Sequence, residues 1–113
     1  MTHLNYLSLH RKKWALSQRE LAGLLGHASR SVVSRLELGG GRPSLRFALA
    51  CQAVFGLGVA DLFPDLFDQH QDAVMRRAAA FDAQLRGRTD PASVRKRELL
   101  AAMVERALSR DEP

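Results

Sequence analysis

Cysteine is almost missing from this chain of 113 residues: Cys51 is the only one. That excludes an internal disulfide framework and any CxxC metal site, and it fits a chain living in a reducing compartment. Its expected role is that of a small buried side chain. No apolar run approaches the roughly 18 residues of a membrane-spanning helix. The opening MTHLNYLSLHRKKW lacks the basic-then-apolar order of a secretory signal, so a cytoplasmic location away from membranes is expected. Internal repeats and low-complexity tracts are absent, and the only glycine-rich stretch is the triplet at 39–41.

The residues that carry catalysis are also not assembled. His3, His10, His27 and His70 are scattered, with no HExxH or other ligand spacing. There is no nucleophile elbow, no carboxylate cluster and no phosphate-cradling loop. The glycine triplet follows a helical pattern and lacks the strand and lysine of a nucleotide site. The sequence therefore predicts no catalytic residue, no metal and no cofactor, and an enzymatic role is set aside. His27 is expected as a surface residue or a neighbour of a phosphate.

Positive charge is what the chain has in excess. Seventeen Lys and Arg stand against twelve Asp and Glu, for a net charge of +5 and a pI near 10.3, which favours a polyanionic partner. The excess is uneven: residues 1–65 hold eight basic and four acidic side chains, residues 66–113 nine and eight. The anion-seeking part is thus N-terminal.

The punctuation predicts an all-α chain, because no sustained two-residue alternation and no Asn-Gly or Asp-Gly hairpin signal occurs. Leu4, Leu7, Arg11 and Trp14 recur at three- and four-residue steps, which predicts a first helix ending near Trp14 with that face inward. Ser17 followed by Glu20 is a capping box opening a second helix at Gln18, which Gly26 ends. Ser29 caps a third helix with Val33 and Leu36 facing the core. Pro43 and Ser44 introduce a fourth, whose stripe Leu45, Ala48, Cys51 and Phe55 is expected inside. Gly56 stops it, and a short helix over 59–63 follows before Pro64 interrupts the pattern.

Two short helices joined abruptly at LLGHAS, the second studded with Arg and Ser, describe a helix-turn-helix, with the first helix across the phosphate backbone and the second in the major groove. The chain here resembles the Cro-type, or xenobiotic-response-element, helix-turn-helix regulators. The resemblance rests on LSQRELA, LG, SRSVVSRLELG, RPSLRFAL and FGLGVADLF in the family's order. It covers residues 1 to about 63 and implies a five-helix lambda-repressor-like DNA-binding domain. It also implies that Gln18 hydrogen-bonds the DNA backbone and braces the third helix. A paired Arg and Glu, here Arg11 and Glu37, would form a structural salt bridge inside the domain.

Chemistry assigns the remaining roles. Arg30, Ser31, Ser34 and Arg35 project from the outer side of the third helix and are the expected base readers. Arginine pairs guanine O6 and N7 through two parallel bonds, so Arg30 and Arg35 imply G·C pairs. Phosphate contacts are expected from helix N-termini and nearby cations: Gln18, Arg42 and Ser44 first, then Arg19 and Lys13.

Beyond residue 65 a second region is expected, a helical hairpin over 66–113. Phe67, Val74 and Phe81, seven apart, with Ala78 and Leu85, form an apolar stripe along a helix that Gly87 ends. Asp90 as cap and Pro91 at the first helical position open the last helix, from 92 to about 109. Its middle, including Leu99, Leu100, Met103 and Val104, is apolar around much of the circumference, as in a helix buried on more than one side. The head offers no obvious second apolar surface, so these residues are the expected dimerisation face. Two function classes compete. One is a dimeric, sequence-specific regulator, a repressor, on a palindromic double-stranded operator. The other is an antitoxin-like interaction protein whose residues 66–113 bind a partner protein while the head controls its own promoter. Both bind DNA.

Overall fold

A computed structural model describes residues 4–26 and 28–111; His3 and His27 lie outside the described residues. The described chain is helical, with α1 Leu7–Lys13, α2 Gln18–Leu25, α3 Arg30–Glu37, α4 Leu45–Phe55, α5 Val59–Leu62, α6 Pro64–Leu85 and α7 Pro91–Asp111. It divides into two compact units, 1–68 and 69–113, with α6 beginning in the first and ending in the second.

Side-chain caps start three of the first four helices. Ser17 accepts from the Glu20 amide while the Glu20 carboxylate accepts from the Ser17 amide, a complete capping box. The bond from the Ser17 amide, and then the nearby Ser17 hydroxyl, hold the Glu20 carboxyl below its usual range. Ser29 and Ser44 accept from Val32 and Phe47 in the same manner. Gly26, at φ +79°, takes a positive-φ conformation that side chains rarely adopt and lets the chain turn sharply after α2. After α3 the chain closes a Schellman motif: Gly39, at φ +80°, donates to Leu36 and Gly40 donates to Arg35.

The first unit's core is built from Leu7, Leu21, Leu25, Val33, Leu36, Phe47, Cys51, Leu62, Phe63 and Leu66. Burial pushes the Cys51 thiol up to about 12, so it stays protonated at neutral pH.

Several expectations are corrected here. Leu4 and Trp14 are exposed, not inward: Leu4 precedes α1 and Trp14 caps its end, so neither keeps the helical phase. Leu45 is 73% exposed and Phe55 only partly buried, while Phe47 fills the core. Each three-residue step falls about 60° short of a full turn, so Leu45 lies roughly 120° around the helix from Cys51. Pro64 does interrupt the pattern, with α5 ending at Leu62 and Phe63 leaving the helix at φ −127° and ψ 64°, but it also begins α6, since its missing N–H costs nothing at the first helical position. Leu66 accordingly packs into the first unit's core, and the first compact unit runs to residue 68. The head also presents Leu9, Leu24, Leu38, Leu45 and Leu49 to solvent, more apolar surface than its sequence suggested.

In the second unit Asp90 accepts from both the Ser93 amide and hydroxyl, which lowers its carboxyl pKa. Arg97 on α7 donates to Asp82 on α6 at 3.1 Å, tying the two helices across the 86–90 connection. Leu85 and Leu100 are buried, whereas Val74, Phe81, Leu99 and Val104 are exposed. The run over 99–104 is therefore buried on one side only.

Candidate nucleic-acid interface

The site is organised around Glu37, at the last turn of α3. Its carboxylate accepts from Arg11 Nε at 2.6 Å, Arg11 Nη2 at 3.0 Å and Gln18 Nε2 at 3.0 Å. Arg11 Nη1 donates to the Leu16 carbonyl at 2.7 Å. Arg11 and Glu37 side chains are only 10% and 5% exposed. The hydrogen bond to Glu37 raises the guanidinium pKa further against the opposing effect of burial. One carboxylate thus joins α1, the entry to α2 and the end of α3, and fixes α3 against the helix that precedes it.

Asn5, which sequence reasoning passed over, adds a fourth tie. Its amide donates to the Leu36 carbonyl at 2.7 Å while its oxygen accepts from the Leu7 amide at 3.1 Å. A single polar residue ahead of a helix carries no spacing signal, so only the fold exposes this role.

With its inner side held, α3 offers the opposite side to solvent. Val33 and Leu36 are buried, while Arg30, Ser31 and Arg35 are exposed and Ser34 partly so. Ser31 lies nearly opposite the core-facing direction, with Arg30 on one flank and Arg35 on the other. Arg35 borders a cleft of about 260 Å³ together with Arg42 and Ser44, at the start of α4. The fold therefore brings one expected base reader beside two expected phosphate contacts. Its stem is close against the glycine loop: a Cβ on Gly40 would come within 3.2 Å of Arg35 Cγ.

Gln18 places its amide on Glu37, so it braces the end of α3. Arg19 and Lys13 are exposed, with the Lys13 ammonium 5.5 Å from the centre of the Trp14 ring. Another cleft, of about 510 Å³, lies in the second unit beside Val94 and Leu100, where Asp82 and Arg97 pair with each other. Among the described residues no three His, Cys, Asp or Glu side chains gather as a metal site, and no helix is long and apolar enough to cross a membrane.

A helix with a bare polar face, fixed by a buried ion pair behind a capped partner helix, is what a groove reader requires. A family model for the Cro/C1-type helix-turn-helix matches residues 10–62. Those residues are a Cro-type helix-turn-helix domain. No curated protein and no solved structure matches the chain. The matched span runs from α1 through α5 and contains Arg11, Gln18, α3 and Glu37. A helix-turn-helix domain of this family, here 53 of the 113 residues, supports a DNA-binding transcription regulator, a class that is generally non-enzymatic.

Arg42 gives a direct test of the backbone contacts, since it is exposed beside the α4 N-terminus. Arg42→Ala should weaken binding on every duplex and reduce the slope of log affinity against log salt by about one unit. Binding isotherms over a range of salt concentrations check this; an unchanged slope would remove Arg42 from the phosphate contacts.

Proposed function

We propose that this helix-turn-helix protein is a dimeric, sequence-specific repressor that reads the major groove with α3 and binds a palindromic double-stranded operator. The observation that carries the reading is the outer face of α3. Arg30, Ser31, Ser34 and Arg35 cover it, and Glu37 anchors the helix from behind through Arg11 and Gln18. On this reading Arg30 and Arg35 each pair a guanine, and Ser31 and Ser34 make shorter contacts to bases or the adjacent phosphates. Gln18, Arg19, Lys13, Arg42 and Ser44 set the domain on the phosphate backbone, which positions the reading helix without itself specifying sequence.

Dimerisation belongs to the second unit. Val74, Phe81, Leu99 and Val104 are exposed and Met103 half-buried, whereas Leu85 and Leu100 are used within the chain. Phe67 lies in the first unit and is partly covered. A two-fold interface would let one apolar face cover its own copy and space two heads about one helical turn, roughly 34 Å, apart.

Arg30→Ala tests the readout. Specific binding should weaken by about 1 to 3 kcal/mol with preference lost at one G·C pair, while nonspecific binding stays nearly intact. Competition between an operator duplex and random duplexes measures both quantities. An equal loss on the two would mean that Arg30 contacts the backbone instead.

A further inference from the structure

Leu38 is the most exposed large apolar side chain of the described residues, at 76%. It is the C-cap of α3, and its N–H still donates to the Ser34 carbonyl at 3.2 Å, four residues back, so its Cα follows the phase of the helix. Ser31, Ser34 and Leu38 therefore fall at steps of three and four on one line, and that line runs almost directly opposite Val33 and Leu36. The Schellman turn immediately behind it, closed by Gly39 and Gly40, fixes where the helix ends and leaves Leu38 standing at its edge. An isolated surface leucine needs no explanation. One that continues the line of a DNA-reading face is different, because the surface it adjoins is covered whenever that face meets DNA.

We propose that Leu38 is a specificity-determining residue that packs on the C5-methyl group of a thymine in the major groove. The inference rests on the reading of α3 as the base-contacting helix. The major groove offers one apolar feature that distinguishes a base, the thymine methyl, and apolar side chains read it by contact. A leucine there can accept no hydrogen bond, and it stands uncharged on a face whose other members are arginine and serine. Eight residues separate Leu38 from Arg30, about 12 Å along the helix axis. At about 3.4 Å per base pair, the thymine lies three to four steps from the G·C pair assigned to Arg30.

Selection of bound sequences from a random duplex library by the full-length chain tests the assignment, run in parallel for wild type, Leu38→Ala and Arg30→Ala. The wild-type half-site should contain a T·A column three to four steps from the G·C column that Arg30→Ala loses. Leu38→Ala should lose that T·A column alone. Deoxyuridine in place of the thymine, which removes only the methyl group, should weaken wild-type binding about fourfold, as expected for one buried methyl, and leave Leu38→Ala unaffected. An unchanged consensus in Leu38→Ala, or an equal deoxyuridine effect in both proteins, would overturn the assignment while leaving the reading of α3 in place. A wild-type selection that enriches no sequence would overturn that reading and the assignment with it. Unchanged thermal unfolding of Leu38→Ala, whose side chain contributes nothing to the core, excludes misfolding as the cause.

Discussion

Replacing Glu37 by alanine should destabilise the DNA-binding domain by about 3 to 5 kcal/mol, the usual cost of removing one partner from a buried ion pair. The magnitude follows from what is left behind. Arg11 would keep a guanidinium charge that is 10% exposed, with only the Leu16 carbonyl as partner, and the Gln18 amide would lose its acceptor. Against a total stability of about 5 to 15 kcal/mol, that brings the domain close to unfolding. Arg11→Lys should also be costly, because an ammonium cannot offer the two parallel bonds that Nε and Nη2 make to Glu37. Replacing both residues by methionine should restore much of the loss, since apolar substitutes carry no stranded charge. Chemical unfolding of the four proteins gives these values. DNA binding by Glu37→Ala should fail in proportion to the unfolded fraction, and the folded fraction should retain the wild-type salt slope. A loss of less than about 1 kcal/mol would show that the pair behaves as a solvent-screened surface contact.

Placing aspartate at both Phe81 and Leu99 should convert the proposed dimer into a folded monomer. Neither side chain belongs to the buried core of the single chain, with Phe81 40% and Leu99 58% exposed, so both substitutions should leave it folded, yet each puts charge into the proposed interface. Losing the second head removes the gain from tethered binding, and affinity for a duplex with two half-sites should fall about 10² to 10⁴-fold. Affinity for a single half-site should hardly change. Sedimentation and titration on the two duplexes separate these effects. A wild-type protein that is monomeric well above its DNA affinity would contradict the dimer and give the Phe81 and Leu99 face to a different protein, as the antitoxin-like reading expects.

How legible this was in the sequence depended on whether the signal was local. Ser17, Ser29 and Ser44 each cap a helix through a residue three positions on, and Gly26 turns the chain where its freedom is needed; such signals sit within a few residues. Helix phase was less legible. The Leu45 stripe failed because three-residue steps drift around the helix, and Trp14 failed because α1 ends before it. Pro64 marks a stop in the sequence and is equally a start, since α5 ends just before it and α6 begins on it, and only the fold shows Leu66 continuing into the core. Asn5 acts across 31 residues of sequence, a distance at which spacing carries no information, and the brace that Gln18 sets on Glu37 across 19 residues was legible only through the family resemblance. Leu38 was passed over for the opposite reason. A leucine beside a glycine triplet reads as ordinary until the fold shows it in line with Ser31 and Ser34.

Sequence-specific DNA binding is the central claim, and competition titration of the full-length protein measures it most directly. A duplex from upstream of its own gene, or one recovered by selection, would be compared with an unrelated duplex at about 50 and 200 mM salt. The expected result is at least about 10³-fold tighter binding to the specific duplex, with affinity for both falling steeply as salt rises. Equal affinity for the two duplexes at both salt concentrations would contradict it.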